Sequence, residues 1–546
     1  MVKKALKIVA TVGLLLAGYT GYLRVFAVVA AHFRPASHLI VIDEVDRITA
    51  SETALAATHL ASSTFGANHW TTKASFRYYN NERGYWMFAE SYERRKEGRQ
   101  IVFRPFAIIW RSKDGRTLKT VTGREMIADF DEPFDVIKPG AKSGHVVHAQ
   151  IIDEVRIRDD KGTPEDRSDD MEIGPLTAIE FDEPKLQITS DSEVIARDRD
   201  TTITGKGLLI ELRPNDETGR TGFNGAKSVH ILKTVHIYAK NAGRSGILPG
   251  TAKGGTPEGP TPIDLQCAGE MKVVLPDPPP QATPLKPGEA PPPPPPPQPT
   301  LAWFYRNVRV RRGDEKPDEL DCDELFLTMM PPPKPATTKG APATDTTTGG
   351  HAVVAEAPAA DSPAGSDGPL TELTLKRAEA TGHAVWLRSK AQNSIIRGNQ
   401  LIHEKFAPAE PDKTYMCGNS NNRLLVEKYE YLTAGPNVGK LRSIDTIRTV
   451  DVTIFDNGQT GGGFSTIVAR GPGILETRAE RGGPVERTAT WQDQCIIRTE
   501  GENDQVRRVI TLYGNPHVAD PASGSLDATK WIMAWLRPQE PGKKAD

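Results

Sequence analysis

His403-Glu404 opens the stretch HEKFA, and a zinc protease would need a second histidine where Ala407 stands. An H-E-x-x-H helix works because two imidazoles one turn apart converge on the metal, and one imidazole cannot do this. Gly205-Lys206-Gly207, inside TTITGKGLLIEL (201–212), raises phosphate chemistry next. A phosphate-binding loop places G-x-x-x-x-G-K-[ST] between a strand and a helix, whereas here Gly207 and then Leu208 follow the lysine in place of a hydroxyl residue, and the leading glycine is missing. The chain continues as LLIEL and the turn Arg213-Pro214-Asn215-Asp216, so the glycines mark a bulge or bend in a strand.

Other candidates yield no site. His145 and His148 point to opposite faces of a strand, and His230 and His236 share a face about 20 Å apart at strand rise. The acidic run DDKGTPEDRSDD (159–170) lacks EF-hand spacing and reads as a solvated hairpin loop. No G-x-S-x-G occurs. Paired carboxylates for glycoside hydrolysis are a three-dimensional matter, and no pair stands out. The four cysteines, Cys267, Cys322, Cys417 and Cys495, contain no C-x-x-C, leaving two disulfides or isolated buried thiols as alternatives. No catalytic, cofactor-binding or metal-ligating residue is assigned. With 68 basic and 70 acidic residues, the chain offers no global charge for nucleic acid.

The elements around these residues are strands almost throughout. IVFRPFAIIW (101–110), HVVHAQIIDEVRIR (145–158), SVHILKTVHIYAK (228–240), WFYRNVRVRR (303–312) and RRVITLYG (507–514) alternate apolar and polar residues, as half-buried antiparallel strands do. Only 52–62 and 526–536 read as helical. A weak internal echo links CAGEMKVVL (267–275), ATGHAVWL (380–387) and VARGPGILE (468–476), as repeated hairpins of one architecture would. The expected class is all-β, a sandwich, jellyroll or barrel-like stack.

Two stretches interrupt this pattern. Residues 276–300 include seven consecutive prolines, Pro291 to Pro297, and read as an extended spacer with a reach of roughly 75 Å. Residues 331–369 lack aromatics and read as a disordered insertion at a loop tip, with 301–330 pairing to strands beyond residue 370. At the N-terminus, Lys3, Lys4 and Lys7 precede the uncharged run from Ile8 to Leu23. The expectation is an uncleaved single-pass anchor in residues 1–35, with the N-terminus cytoplasmic and the remainder exported. A cleaved signal peptide is the alternative.

KLQITSDSEVIARDRDTTITGKGLLIELRPN (185–215) resembles the inner-membrane-anchored component of the bacterial lipopolysaccharide-transport bridge, as does the hairpin FRYYNNERGYWMFAESYE (76–93). NVRVRRGDEKPDELDCDELFLT (307–328), AEATGHAVWLRSKAQNSIIRGNQLIHE (378–404) and RRVITLYGNPHVAD (507–520) resemble the OstA-like repeats of the same bridge. Unlike that family's anchored component, this chain is long and carries proline-rich stretches. The resemblance implies a β-jellyroll domain over 36–275, the proline-rich linker 276–300, and an OstA-like open β-roll over 301–546. It implies a lipopolysaccharide-like lipid as ligand, and the inner membrane, other β-jellyroll bridge proteins and ABC-transporter components as partners, with the bulk of the chain periplasmic. Candidate groove residues are Ile203, Leu208, Ile210, Val385 and Leu387, the first three sharing a face only if the register shifts at Gly205–Gly207. A structural or adhesion-type envelope protein and an exported carbohydrate-active enzyme are the alternative functions.

Overall fold

The computed structural model describes residues 44–240, 262–277, 296–330 and 374–536, apart from short loops between strands. The expected anchor in residues 1–35, most of the proline-rich stretch and the insertion 331–369 lie outside the described residues. Among the described residues no helix is long and apolar enough to cross a membrane.

Among the described residues one α-helix, α1 (Glu44–Phe65), leads into strands that form a single 28-stranded sheet. The strands begin with β1 (Phe76–Asn80), β2 (Tyr85–Arg95), β3 (Gln100–Arg111), β4 (Leu118–Gly123), β5 (Glu125–Phe130), β6 (Val146–Asp159) and β7 (Met171–Asp182). Then come β8 (Gln187–Asp198), β9 (Thr201–Pro214), β10 (Phe223–Ala239), β11 (Ile263–Cys267), β12 (Met271–Val274), β13 (Thr300–Arg312) and β14 (Asp318–Met330). The chain continues through β15 (Thr374–Ser389), β16 (Ser394–Glu404), β17 (Asp412–Cys417), β18 (Leu424–Tyr431), β19 (Leu441–Thr449), β20 (Asp451–Asp456) and β21 (Thr466–Arg470). It ends with β22 (Gly473–Arg478), β23 (Arg487–Trp491), β24 (Gln494–Glu500), β25 (Arg507–Tyr513), β26 (His517–Asp520), β27 (Gly524–Asp527) and β28 (Trp531–Leu536).

The sheet is folded lengthwise. Long strands lose register near their middles, between Ser190 and Glu193 in β8, Lys233 and His236 in β10, Tyr305 and Val308 in β13, and Thr381 and Val385 in β15. Elsewhere the interruption is complete: β4 and β5 both pair with β3 and β6, and β11 and β12 both pair with β10 and β13. Beyond β16 two separate ladders continue, one through β17, β20, β21, β24, β25 and β28, the other through β18, β19, β22, β23, β26 and β27. These breaks align into a crease that divides the sheet into two leaves. The leaves share one apolar core, which runs from Phe76 to Leu512. The echo noted in the sequence is this crease: each of its three segments crosses from one leaf to the other.

Gly205 and Gly207 lie on the crease in β9. Two residues of β8 stand opposite the single Gly207, and two of β10 stand opposite Gly205, so the extra residues belong to the flanking strands and not to β9. Gly207 has φ +78°, the left-handed region that glycine enters without penalty. The parity of β9 changes here, and Ile203, Leu208 and Ile210 all become buried in the shared core.

Two expectations need correction. Residues 526–536 are not helical: they contain β27 and β28, and Trp531–Leu536 pair with β25 because a sheet edge is available to them. The proline-rich stretch does not hold two domains apart, because Met271–Val274 pair directly with Leu301–Phe304 and the core continues across both expected units. Met330 and Thr374, on either side of the stretch that contains 331–369, are paired neighbours on β14 and β15. The reading of 52–62 as helical agrees with α1, whose Ala57 and Ala61, one turn apart, pack on Phe88, Ala107 and Ile109 on the outer face of β2 and β3.

Candidate functional site

Alternation along each strand sends one set of side chains between the leaves and the other outward. Cross-strand register then lines up the inner set in rows. Ile203, Ile237, Leu265, Val310, Leu320 and Leu387 form one such row in the first leaf, so two of the sequence candidates share it. Val385 lies one inner position nearer the crease, and Leu208 and Ile210 face inward from the second leaf. All five candidates are at most 3% exposed.

Toward the last strands the inner row farther from the crease loses its cover, while the row nearer the crease, Val452, Ala469, Cys495 and Leu512, stays buried. In the second leaf the row Ala378, His403, Thr414, Ile454 continues through Ile467, Ile497 and Ile510. Its first four members are buried, whereas Ile467, Ile497 and Ile510 are only half-buried. In the first leaf, inner residues Leu475 and Val518 are likewise half-buried, and Leu526 at the last strand is 57% exposed. Inner apolar surface is therefore open to solvent at this end.

The zinc-protease comparison places His403 on a helix with a metal, and the structure places it elsewhere. It sits inside the core, 2% exposed, with Nδ1 2.9 Å from Thr414 Oγ1. Burial, with Lys405 contributing less, lowers its pKa to about 3. The folded state thus keeps the imidazole neutral, while an unfolded chain protonates it near the ordinary value of 6.5. The unfolded state binds the extra proton, so this residue's contribution is intact above about pH 6.5 and is lost progressively as pH falls toward 3. Denaturant titrations across that window are expected to show His403→Leu losing less stability on acidification than the parent. The sequence signal was available in principle, since His403 stands where the alternation after Leu401 calls for an apolar residue.

The outer face carries polar networks that the sequence did not reveal. Ser228 Oγ donates to Glu211 Oε2 at 2.6 Å and lies 2.8 Å from His230 Nε2, while His230 Nδ1 meets Glu270 Oε1. The order serine, histidine, carboxylate is that of a nucleophile and its base, and Ser-x-His spacing on one strand face was its only sequence mark. Ser228 is 1% exposed, however, and its proton is committed to Glu211, whose pKa the Ser228 hydroxyl holds below the ordinary value. The network ties β9, β10 and the β11–β12 turn together. His148 similarly bridges Asp129 and Glu180, and His145 lies outside the described residues.

The acidic run is less solvated than its composition suggests. Asp159 pairs with Lys119 at 3.0 Å, Asp169 with Arg199 at 2.8 Å and Asp170 with Arg158, while Asp160 accepts the Leu118 N–H at 2.7 Å. Among the described residues, no group of three His, Cys, Asp or Glu side chains is placed to hold a metal. All four cysteines are free thiols; Cys267, Cys322 and Cys495 are buried, and desolvation raises the Cys267 pKa to about 11. A cleft of about 710 Å³ beside the crease is lined in part by Gln266, Arg309, Asp321, Trp386 and Arg388. Its charges are largely spent on neighbours: Arg309 pairs with Asp321 at 2.6 Å, and Arg388 with Glu319 at 3.2 Å.

Fold and interior together define an all-β protein, one antiparallel sheet creased around a long apolar core, which is consistent with a jellyroll-like class. No protein-family model matches the chain, and no curated protein matches it.

Proposed function

We propose that the chain is an anchored envelope β-roll of OstA-like type, which shelters the acyl chains of a lipopolysaccharide-like amphiphile and passes them along its interior. In this reading the segment before α1 anchors it in the inner membrane and the sheet lies in the periplasm. Its ends meet other β-jellyroll bridge proteins or ABC-transporter components. The observation that carries the reading is the inner apolar surface, continuous along the roll, whose row farther from the crease becomes accessible over β21–β28. Acyl chains are attracted to such a surface by the same burial of apolar area that holds the leaves together. The arrangement has no need of a catalytic group or cofactor.

A structural or adhesion-type envelope protein is the second reading, favoured by the packing of the middle of the roll, where Ile210 and Val385 are 0% exposed. Photo-crosslinking amino acids at Ile510 and Leu387 on the inner face and at Lys413 on the outer face separate the two. Lipid captured in cells at the inner positions, and not at Lys413, is the expected result. A chain that captures no lipid at either inner position is a scaffold.

A further inference from the structure

We propose that His403 and Thr414 form a polar seat inside the roll for a hydroxyl group carried part-way along an acyl chain. The inference rests on the lipid-binding reading and adds the chemistry of the ligand.

The two side chains interrupt a row that is otherwise apolar, with Ala378 on one side and Ile454 on the other. Leu401 and Met416 are the next inner residues toward the crease. His403 Nδ1 is satisfied by Thr414 Oγ1, but His403 Nε2 is buried with no hydrogen-bond partner among the described residues. Leaving a buried polar atom unpaired is costly, and a purely structural position would be served better by an apolar side chain. A trapped water needs two to four polar partners, and this apolar stretch supplies few beyond the pair itself.

The row leads from the open end to the seat. From β25, inter-strand steps through β24, β21, β20 and β17 reach β16, a path of roughly 24 Å at about 4.8 Å per step. Half-buried Ile510, Ile497 and Ile467 line its outer part, as an apolar chain requires. A neutral group suits the seat, because burying an ion among these apolar side chains is costly. A hydroxyl can donate or accept, so it suits Nε2 in either imidazole tautomer. Alanines at 378 and 380 keep the wall beside the seat low.

The test compares stearate with 12-hydroxystearate in equilibrium binding to the full chain. The hydroxylated probe is expected to bind about three- to tenfold more tightly, the worth of one added hydrogen bond. His403→Leu should remove that preference while leaving stearate affinity unchanged, and His403→Gln should restore part of it. Thr414→Val, a milder change, should reduce the preference in a chain with the parent's melting temperature. Equal binding of the two probes by the parent, or a preference that survives His403→Leu, overturns the seat and leaves lipid binding standing. Failure of both probes to bind overturns the lipid-binding reading and the seat with it.

Discussion

Gly207→Val is expected to destabilise the sheet by roughly 1–3 kcal/mol, while Lys206→Ala changes its stability by less than about 0.5 kcal/mol. Gly207 holds φ +78°, which a β-branched residue adopts only under strain, and a Cβ there would stand 3.1–3.3 Å from the side chain of Leu232. Lys206 is exposed and its removal opens no cavity. Denaturant midpoints of the two variants give the ranking directly. A phosphate-binding loop would reverse it, with Lys206→Ala abolishing binding of inorganic phosphate at unchanged stability.

Phe304→Ala should cost about 3–5 kcal/mol, since Phe304 is fully buried between Met271 and Leu325 on the inner face of the second leaf. Ile510→Ala, on the same leaf near the open end, should fall at the low end of the roughly 2–5 kcal/mol expected for such truncations, because its side chain is already half-buried. Urea unfolding of both variants measures the gradient. Equal losses would mean that the interior is as well covered at its end as at its middle.

The strands were legible because alternation is local: KLQITSDSEVIAR or WFYRNVRVRR announces its own inner and outer faces. WIMAWL (531–536) announces nothing, since five of its six residues are large and apolar and nothing separates a strand from a short helix. Its state is decided by the free edge of β25, which no local pattern contains. The bend at Gly205–Gly207 was readable from the glycines and from the parity mismatch between Ile203 and Leu208. That the same bend recurs across the sheet showed in the sequence only as the weak echo at 267–275, 380–387 and 468–476, because the crease exists only once distant strands are in register. The five groove candidates all lie in the core between the leaves, Leu208 and Ile210 through the change of parity at Gly205–Gly207. The role of His403 is set by its place in the alternation of its strand and not by the neighbouring Glu404 and Ala407. The Ser228–His230–Glu270 network needs a turn 40 residues away to be complete.

The crease also separates length from cross-section. Each hairpin that crosses it contributes a piece of both walls at once, so one more hairpin extends the interior by roughly 9.5 Å without widening it. The body behaves as an extruded profile, with bore set by the distance from crease to rim and reach set by the number of strands. Duplicating or deleting a hairpin would therefore change the length of the interior while its cross-section stayed the same.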